Sequence, residues 1–130
     1  MRFSEFRRHS PPGGNVYIFI CEDEFLIDES RAVWAGFFGG DWDFSKLSVR
    51  EFEALEASEL LVLARTPPLF GPPRVLLVTN AGKITKKKVA VLEELAGLDE
   101  SFLKVIVSAP TRRSVSALAK TFPKVEIDPP

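Results

Sequence analysis

The chain has 130 residues, 45% hydrophobic and 11% aromatic, which is enough material for one domain with a sizeable core. Its 17 basic and 18 acidic residues nearly cancel, which argues against a domain that binds DNA or lipid through net charge. A single cysteine and a single histidine exclude an internal disulfide and a metal site built from these residues. No apolar run approaches the length of a membrane span, and no secretory signal opens the chain. We therefore expect an intracellular, cytoplasmic domain that makes no membrane contact.

The first elements are a tail, a strand and a helix. Residues 1–15 end in a Pro-Gly-rich run that breaks helices and strands, so we predict a flexible lead-in. The apolar run Val16–Ile20 is typical of a strand buried on both faces, as in a parallel sheet. The acids of residues 22–24 favour the start of a helix, and Gly39 with Gly40 favours its end.

The stretch of residues 41–73 has weaker patterns. A short strand is predicted at 43–46 or at 49–52, and Ser48 with Glu51 offers a capping box as an alternative. Ser58 is predicted to cap a short helix whose apolar residues are Leu60, Leu61 and Leu63. Four prolines then occur within eight residues at 66–73. They predict a stiff segment that is neither helical nor paired in a sheet.

The second half alternates clearly between strands and helices. We predict strands at 75–78, 102–107 and 125–127, and helices at 86–96 and 114–122. Val89, Leu92 and Leu95 would face inward from the first of these helices. The alternation predicts an α/β fold with a doubly wound, five-stranded parallel sheet and right-handed crossovers.

Such sheets usually bind ligands beyond the carboxyl ends of their strands. A P-loop there needs a glycine-rich turn and a lysine after the first strand, but the chain reads Cys21-Glu22-Asp23-Glu24-Phe25-Leu26. A magnesium-binding acid should follow a later strand, where Thr79 and Asn80 stand. We therefore expect no ATP hydrolysis and no nucleotide, metal or other cofactor.

Two further activities find little support in the residues. In a receiver-like signalling domain Glu22 and Asp23 would bind magnesium, but the phosphoryl-accepting aspartate is replaced by Asn80 or Thr79. A hydrolase would lack a base, because the sole histidine, His9, lies in the predicted lead-in. Cys21 is interpreted as a small core residue.

A basic cluster comprises Lys83, Lys86, Lys87 and Lys88. Its simplest interpretation is a solvated helix face. The alternative is a weak contact with a DNA phosphate backbone.

Three segments resemble the delta subunit of the bacterial DNA polymerase III clamp loader. Residues 16–29, VYIFICEDEFLIDE, are similar to its first strand and helix, and residues 125–130, VEIDPP, to the end of its first domain. Residues 60–81, LLVLARTPPLFGPPRVLLVTNA, are similar to its central motif, in which a short helix ends in Leu-Phe before a buried strand. Cys21 departs from the family, which commonly has glycine there, and residues 39–47 have no counterpart that we can place.

The resemblance implies that residues 16–130 form a P-loop-NTPase-like, AAA+-type domain that has lost ATP binding and has no catalytic residues. In this family the first domain binds the ring-shaped sliding clamp, the beta subunit, and helps to hold one ring interface open. The implied contact is an exposed Leu-Phe pair, here Leu69 and Phe70. The alternative is that both residues plug the local core.

Relatives carry two further domains, one helical and one forming a collar with the other clamp-loader subunits. Neither occurs in these 130 residues. We therefore expect a truncated or minimal relative, which binds a clamp but does not assemble a loader.

Overall fold

Strands and helices alternate from residue 16 onward in the computed structural model, which describes residues 1–128. The helices are α1 (Phe3–Phe6), α2 (Glu24–Phe38), α3 (Val49–Ala54), α4 (Ala57–Arg65), α5 (Lys86–Ala96) and α6 (Ser116–Thr121), with a 3-10 turn at Arg112–Val115 before α6. The strands are β1 (Val16–Ile20), β2 (Asp43–Ser48), β3 (Arg74–Thr79), β4 (Leu103–Ala109) and β5 (Lys124–Glu126). The segment that resembles the end of the family's first domain includes Pro129 and Pro130, which lie outside the described residues.

The five strands form one sheet in the order β2-β3-β4-β1-β5, and each neighbouring pair is parallel. This confirms the predicted doubly wound α/β fold. Helix α2 covers one face on the way from β1 to β2, and helices α3 to α6 cover the other face. The chain moves in opposite directions along the sheet on the two faces, so its crossovers share one hand, as the preference for right-handed connections requires.

The predicted flexible lead-in is instead packed onto the domain. Phe6, on helix α1, is completely buried, and its ring centroid lies 5.4 Å from that of Phe19 and 5.1 Å from that of Trp34. Phe3 packs against the same cluster. The prediction for residues 1–15 was wrong because the Pro-Gly run connects two packed segments, and the burial of Phe6 depends on residues distant in sequence.

Several element boundaries also differ from the predictions. Strand β2 occupies the first of the two predicted positions, and Ser48 and Glu51 form the capping box that starts α3. Ser58 is not a cap, because α4 already begins at Ala57 with Glu56 at its N-cap. The predicted helix at 114–122 is a 3-10 turn followed by the shorter α6.

Candidate protein interface at the amino end of the sheet

Residues 66–73 form the loop between α4 and β3, which we call the Leu-Phe loop. The strands of the parallel sheet begin at this end, so the loop lies at the amino end of the sheet. Leu69 is 88% exposed and Phe70 is 94% exposed. The alternative in which the pair plugs the local core therefore does not hold, since neither side chain belongs to either cluster of buried residues.

The conformation of the loop tip depends on proline and glycine. Pro68 precedes the Leu-Phe pair and Pro72 follows Gly71, and each proline ring fixes the φ angle of its own residue near one value. Gly71 follows the pair with φ of 82°, a conformation that costs other residues free energy. A Cβ atom at Gly71 would meet nothing within 4 Å, so glycine is favoured here by backbone conformation and not by lack of space.

Hydrogen bonds hold both ends of the Leu-Phe loop. The N–H of Asp43 donates to the carbonyl of Pro73 at 2.9 Å, and the N–H of Arg74 donates to the carbonyl of Phe102 at 3.1 Å. The N–H of Phe102 in turn donates to the carbonyl of Ala64, near the end of α4, at 2.8 Å. The exposed pair thus stands on a loop whose two ends are attached to neighbouring elements, which limits the entropy lost on binding.

Two further apolar side chains are exposed beside the loop. Val62 is 61% exposed and Leu63 is 42% exposed on helix α4, and Leu63 is one of the three apolar residues that the sequence analysis named for this helix. The buried face consists of Leu60 and Ala64. Their i, i+4 spacing defines the inward stripe, and this spacing is the signal that could have placed Val62 and Leu63 outside it.

At the opposite, carboxyl end of the sheet the connection after β1 is short. Only residues 21–23 separate β1 from α2, and the Asp23 carboxylate accepts a hydrogen bond from the N–H of Phe25 at 2.9 Å. This amide belongs to the helix start that a phosphate would use. Burial raises the pKa of the Cys21 thiol. The backbone N–H of Cys21 donates to the carbonyl of Ala109 at 2.9 Å. The connection after β1 is therefore too short for a phosphate-binding loop, and the Asp23 carboxylate occupies one of the amides at the helix start.

The lysine cluster is not a uniform solvated face. Lys88 is buried, and its ammonium group donates to the carbonyl of Leu55 and lies 5.7 Å from the ring centroid of Phe52. The other three lysines are exposed. A glutamate lies at the start of the same helix, where the Glu53 carboxylate accepts from the N–H and hydroxyl of Thr85 at 3.0 and 2.9 Å. The prediction of a solvated face is therefore wrong for Lys88.

No group of histidine, cysteine and acidic side chains within residues 1–128 is arranged to hold a metal ion. None of the helices described in that range is long and apolar enough to cross a membrane.

Comparison with known proteins gives one match. A family model described as DNA polymerase III, delta subunit, matches residues 17–121. The match runs from β1 to the last residue of α6 and includes the whole Leu-Phe loop. A search of curated proteins returned no match.

Proposed function

Because the chain belongs to the family of DNA polymerase III delta subunits, we propose that it is a clamp-binding domain of the clamp loader. It binds the beta sliding clamp through Leu69 and Phe70 and helps to open the ring for loading during DNA replication in the cytoplasm. It acts through binding and needs no catalytic residue or cofactor of its own. The family assignment supports the replication context, and the geometry of the Leu-Phe loop supports the site.

The exposure of Leu69 and Phe70 is the observation that carries the proposal. Two adjacent large apolar side chains are exposed to water, and their burial in a partner is favourable. Burying both contributes on the order of 3–5 kcal/mol before the costs of association. Clustered apolar anchors of this kind account for most of the affinity at many interfaces. An apolar pocket on the clamp is the partner chemistry that fits the pair.

The order of the loop adds to this support. Prolines and anchored ends hold the pair in one arrangement, so less conformational freedom is lost when the partner binds. The receiver-like alternative gains nothing from the structure, because Asn80 stands directly after β3 where that chemistry requires an aspartate.

The test is surface plasmon resonance against the purified sliding clamp of the same organism. We expect saturable binding by the wild type and at least about a hundredfold loss of affinity for Leu69→Ala/Phe70→Ala, since two anchors of more than 1.4 kcal/mol each are removed. The melting temperature should not change, because both side chains are exposed. Phe25→Ala is the matched control, since Phe25 is 67% exposed at the carboxyl end of the sheet, and it should bind like the wild type.

Two results would count against the proposal in different ways. Equal binding by the wild type and the double variant would keep the partner and reject the site. Absence of binding by the folded wild type at high micromolar clamp would reject clamp binding by this domain.

A further inference from the structure

The exposed apolar surface extends beyond the Leu-Phe pair. Six large apolar side chains are exposed within residues 1–128, and four of them lie here: Val62, Leu63, Leu69 and Phe70. Single exposed apolar residues need no explanation, whereas a contiguous group marks an interaction surface. The pair at the loop tip therefore accounts for only half of this group.

A groove lies between these side chains. It has a volume of about 380 Å³, and its lining includes Val62, Leu63, Leu69, Phe70, Arg74 and Phe102 together with the prolines of the Leu-Phe loop. Most of this lining is apolar. The hydrogen bonds that fix the loop ends also involve two of the lining residues, Arg74 and Phe102, so this part of the groove is formed before any partner arrives.

Arg74 is the only charged residue that lines the groove. Its side chain is exposed, and within residues 1–128 no carboxylate forms an ion pair with it. The nearby Arg65, by contrast, pairs with Glu94 at 3.8 Å. An apolar groove with one unpaired guanidinium is complementary to an apolar side chain that has a carboxylate beside it, because arginine binds carboxylates with two parallel hydrogen bonds.

We propose that the interface is reciprocal: Leu69 and Phe70 enter the clamp, and the groove receives an apolar side chain of the clamp whose neighbouring carboxylate pairs with Arg74. This rests on the proposed function, since it takes the clamp as the partner. Val62 and Leu63 form the apolar wall on α4. Arg74 selects a clamp surface with an acidic residue at the corresponding position.

The experiment measures the affinity for the purified clamp at several salt concentrations. Arg74→Gln should weaken binding about fivefold to tenfold at low salt and flatten the salt dependence, because a charge pair near the surface is screened by salt. Arg74→Lys should retain the salt dependence. Arg65→Gln is the matched control, since Arg65 is an exposed arginine near the groove but not in its lining, and it should change neither quantity.

The apolar wall is tested separately with Val62→Ser/Leu63→Ser. We expect about a tenfold or greater loss of affinity with an unchanged salt dependence, corresponding to lost burial of apolar surface. Melting temperatures check that the variants are folded, as the exposure of the replaced side chains predicts. Wild-type affinity of these variants and of Arg74→Gln, beside loss of binding in the Leu-Phe double variant, would overturn the reciprocal interface and keep the proposed function. Failure of the wild type to bind would overturn both.

Discussion

The two ends of the parallel sheet differ in what they leave for a partner. At the carboxyl end, carboxylates of the chain bind the starts of two helices: Asp23 caps α2 and Glu53 bonds to Thr85 at the start of α5. At the amino end, Leu69 and Phe70 project from a loop with fixed ends and belong to neither buried cluster of residues 1–128. Sheets of this kind usually bind ligands at the carboxyl end. In this domain the recognition surface that we propose lies at the other end.

This contrast shows how a fold can change its use without changing its topology. A phosphate site needs a loop of backbone amides that are left free, whereas here the connection is short and a capping carboxylate occupies one amide. A protein-binding site needs exposed apolar side chains that lose little conformational entropy on binding, and the Leu-Phe loop provides them. In this domain the connections between the strands decide which end can bind.

The largest expected effect on stability concerns Asn15, whose side chain binds the end of α5 at the amino end of the sheet. The side-chain amide of Asn15 donates to the carbonyls of Leu95 and Leu98 at 2.8 and 2.9 Å. Asn15→Ala leaves the Leu98 carbonyl without this donor and leaves the Leu95 carbonyl with the N–H of Leu98 at 3.2 Å. It also removes an acceptor of the Lys104 ammonium group. The change should lower the free energy of unfolding by about 2–4 kcal/mol. Urea denaturation measures this loss in the free energy of unfolding. Asp23→Ala is the counterpart at the carboxyl end, where loss of a helix cap should cost about 1 kcal/mol. Equal losses for the two variants would remove this difference between the ends.

A smaller effect is expected at the tip of the Leu-Phe loop. Gly71→Ala forces a side chain into positive φ and should cost about 1–2 kcal/mol. It should also weaken clamp binding, because the strained loop is no longer held in its binding arrangement. Gly82→Ala is the control near the carboxyl end: its Cβ would meet nothing within 4 Å, its φ is not in the positive range, and the change should stay within about 0.5 kcal/mol. Similar losses for both variants would contradict the role assigned to the φ of Gly71.

The smallest effect is an opposite pH dependence of the two ends. Burial lowers the pKa of Lys104, near the amino end, from 10.5, so the unfolded state binds more protons and stability rises as the pH increases toward 10.5. Burial raises the pKa of Cys21, at the carboxyl end, from 9.0, so the folded state holds its proton longer and stability falls as the pH rises above 9.0.

Urea denaturation between pH 8 and pH 10.5 separates the two contributions. Relative to the wild type, Lys104→Met should lose the alkaline gain in stability, and Cys21→Ala should lose the alkaline fall. Identical pH profiles for the wild type and both variants would show that neither burial matters to folding.

The comparison of sequence with structure depends on how local each signal is. The apolar run Val16–Ile20 and the capping box at Ser48 are local, and both were predicted correctly. The burial of Phe6 and Lys88 is not local, since Phe6 packs on Trp34 and Lys88 bonds to a carbonyl 33 residues away. A short stretch of sequence contains neither Phe6 together with Trp34 nor Lys88 together with Leu55, so the prediction failed at Phe6 and Lys88.

The candidate site was only partly accessible from the sequence. The proline pattern predicted the stiffness of the Leu-Phe loop, whereas the choice of Leu69 and Phe70 came from the family resemblance. The exposure of Val62 could have been inferred from the i, i+4 spacing of the buried Leu60 and Ala64. The guanidinium of Arg74, which has no ion pair within residues 1–128, had no signal of its own, because a charged residue looks the same in sequence whether or not it lines a groove.

The direct continuation of the Leu-Phe loop into β3 has a mechanical consequence. From Arg74 to Val78, β3 is paired with β2 on one side and with β4 on the other. A tensile force applied at the loop along the strand axis therefore loads two ladders in shear, so that their hydrogen bonds share the load and must break together. A force on β5, which pairs on one side only, would meet a single short ladder. The domain is thus built to resist tension at the strand to which the exposed pair is attached.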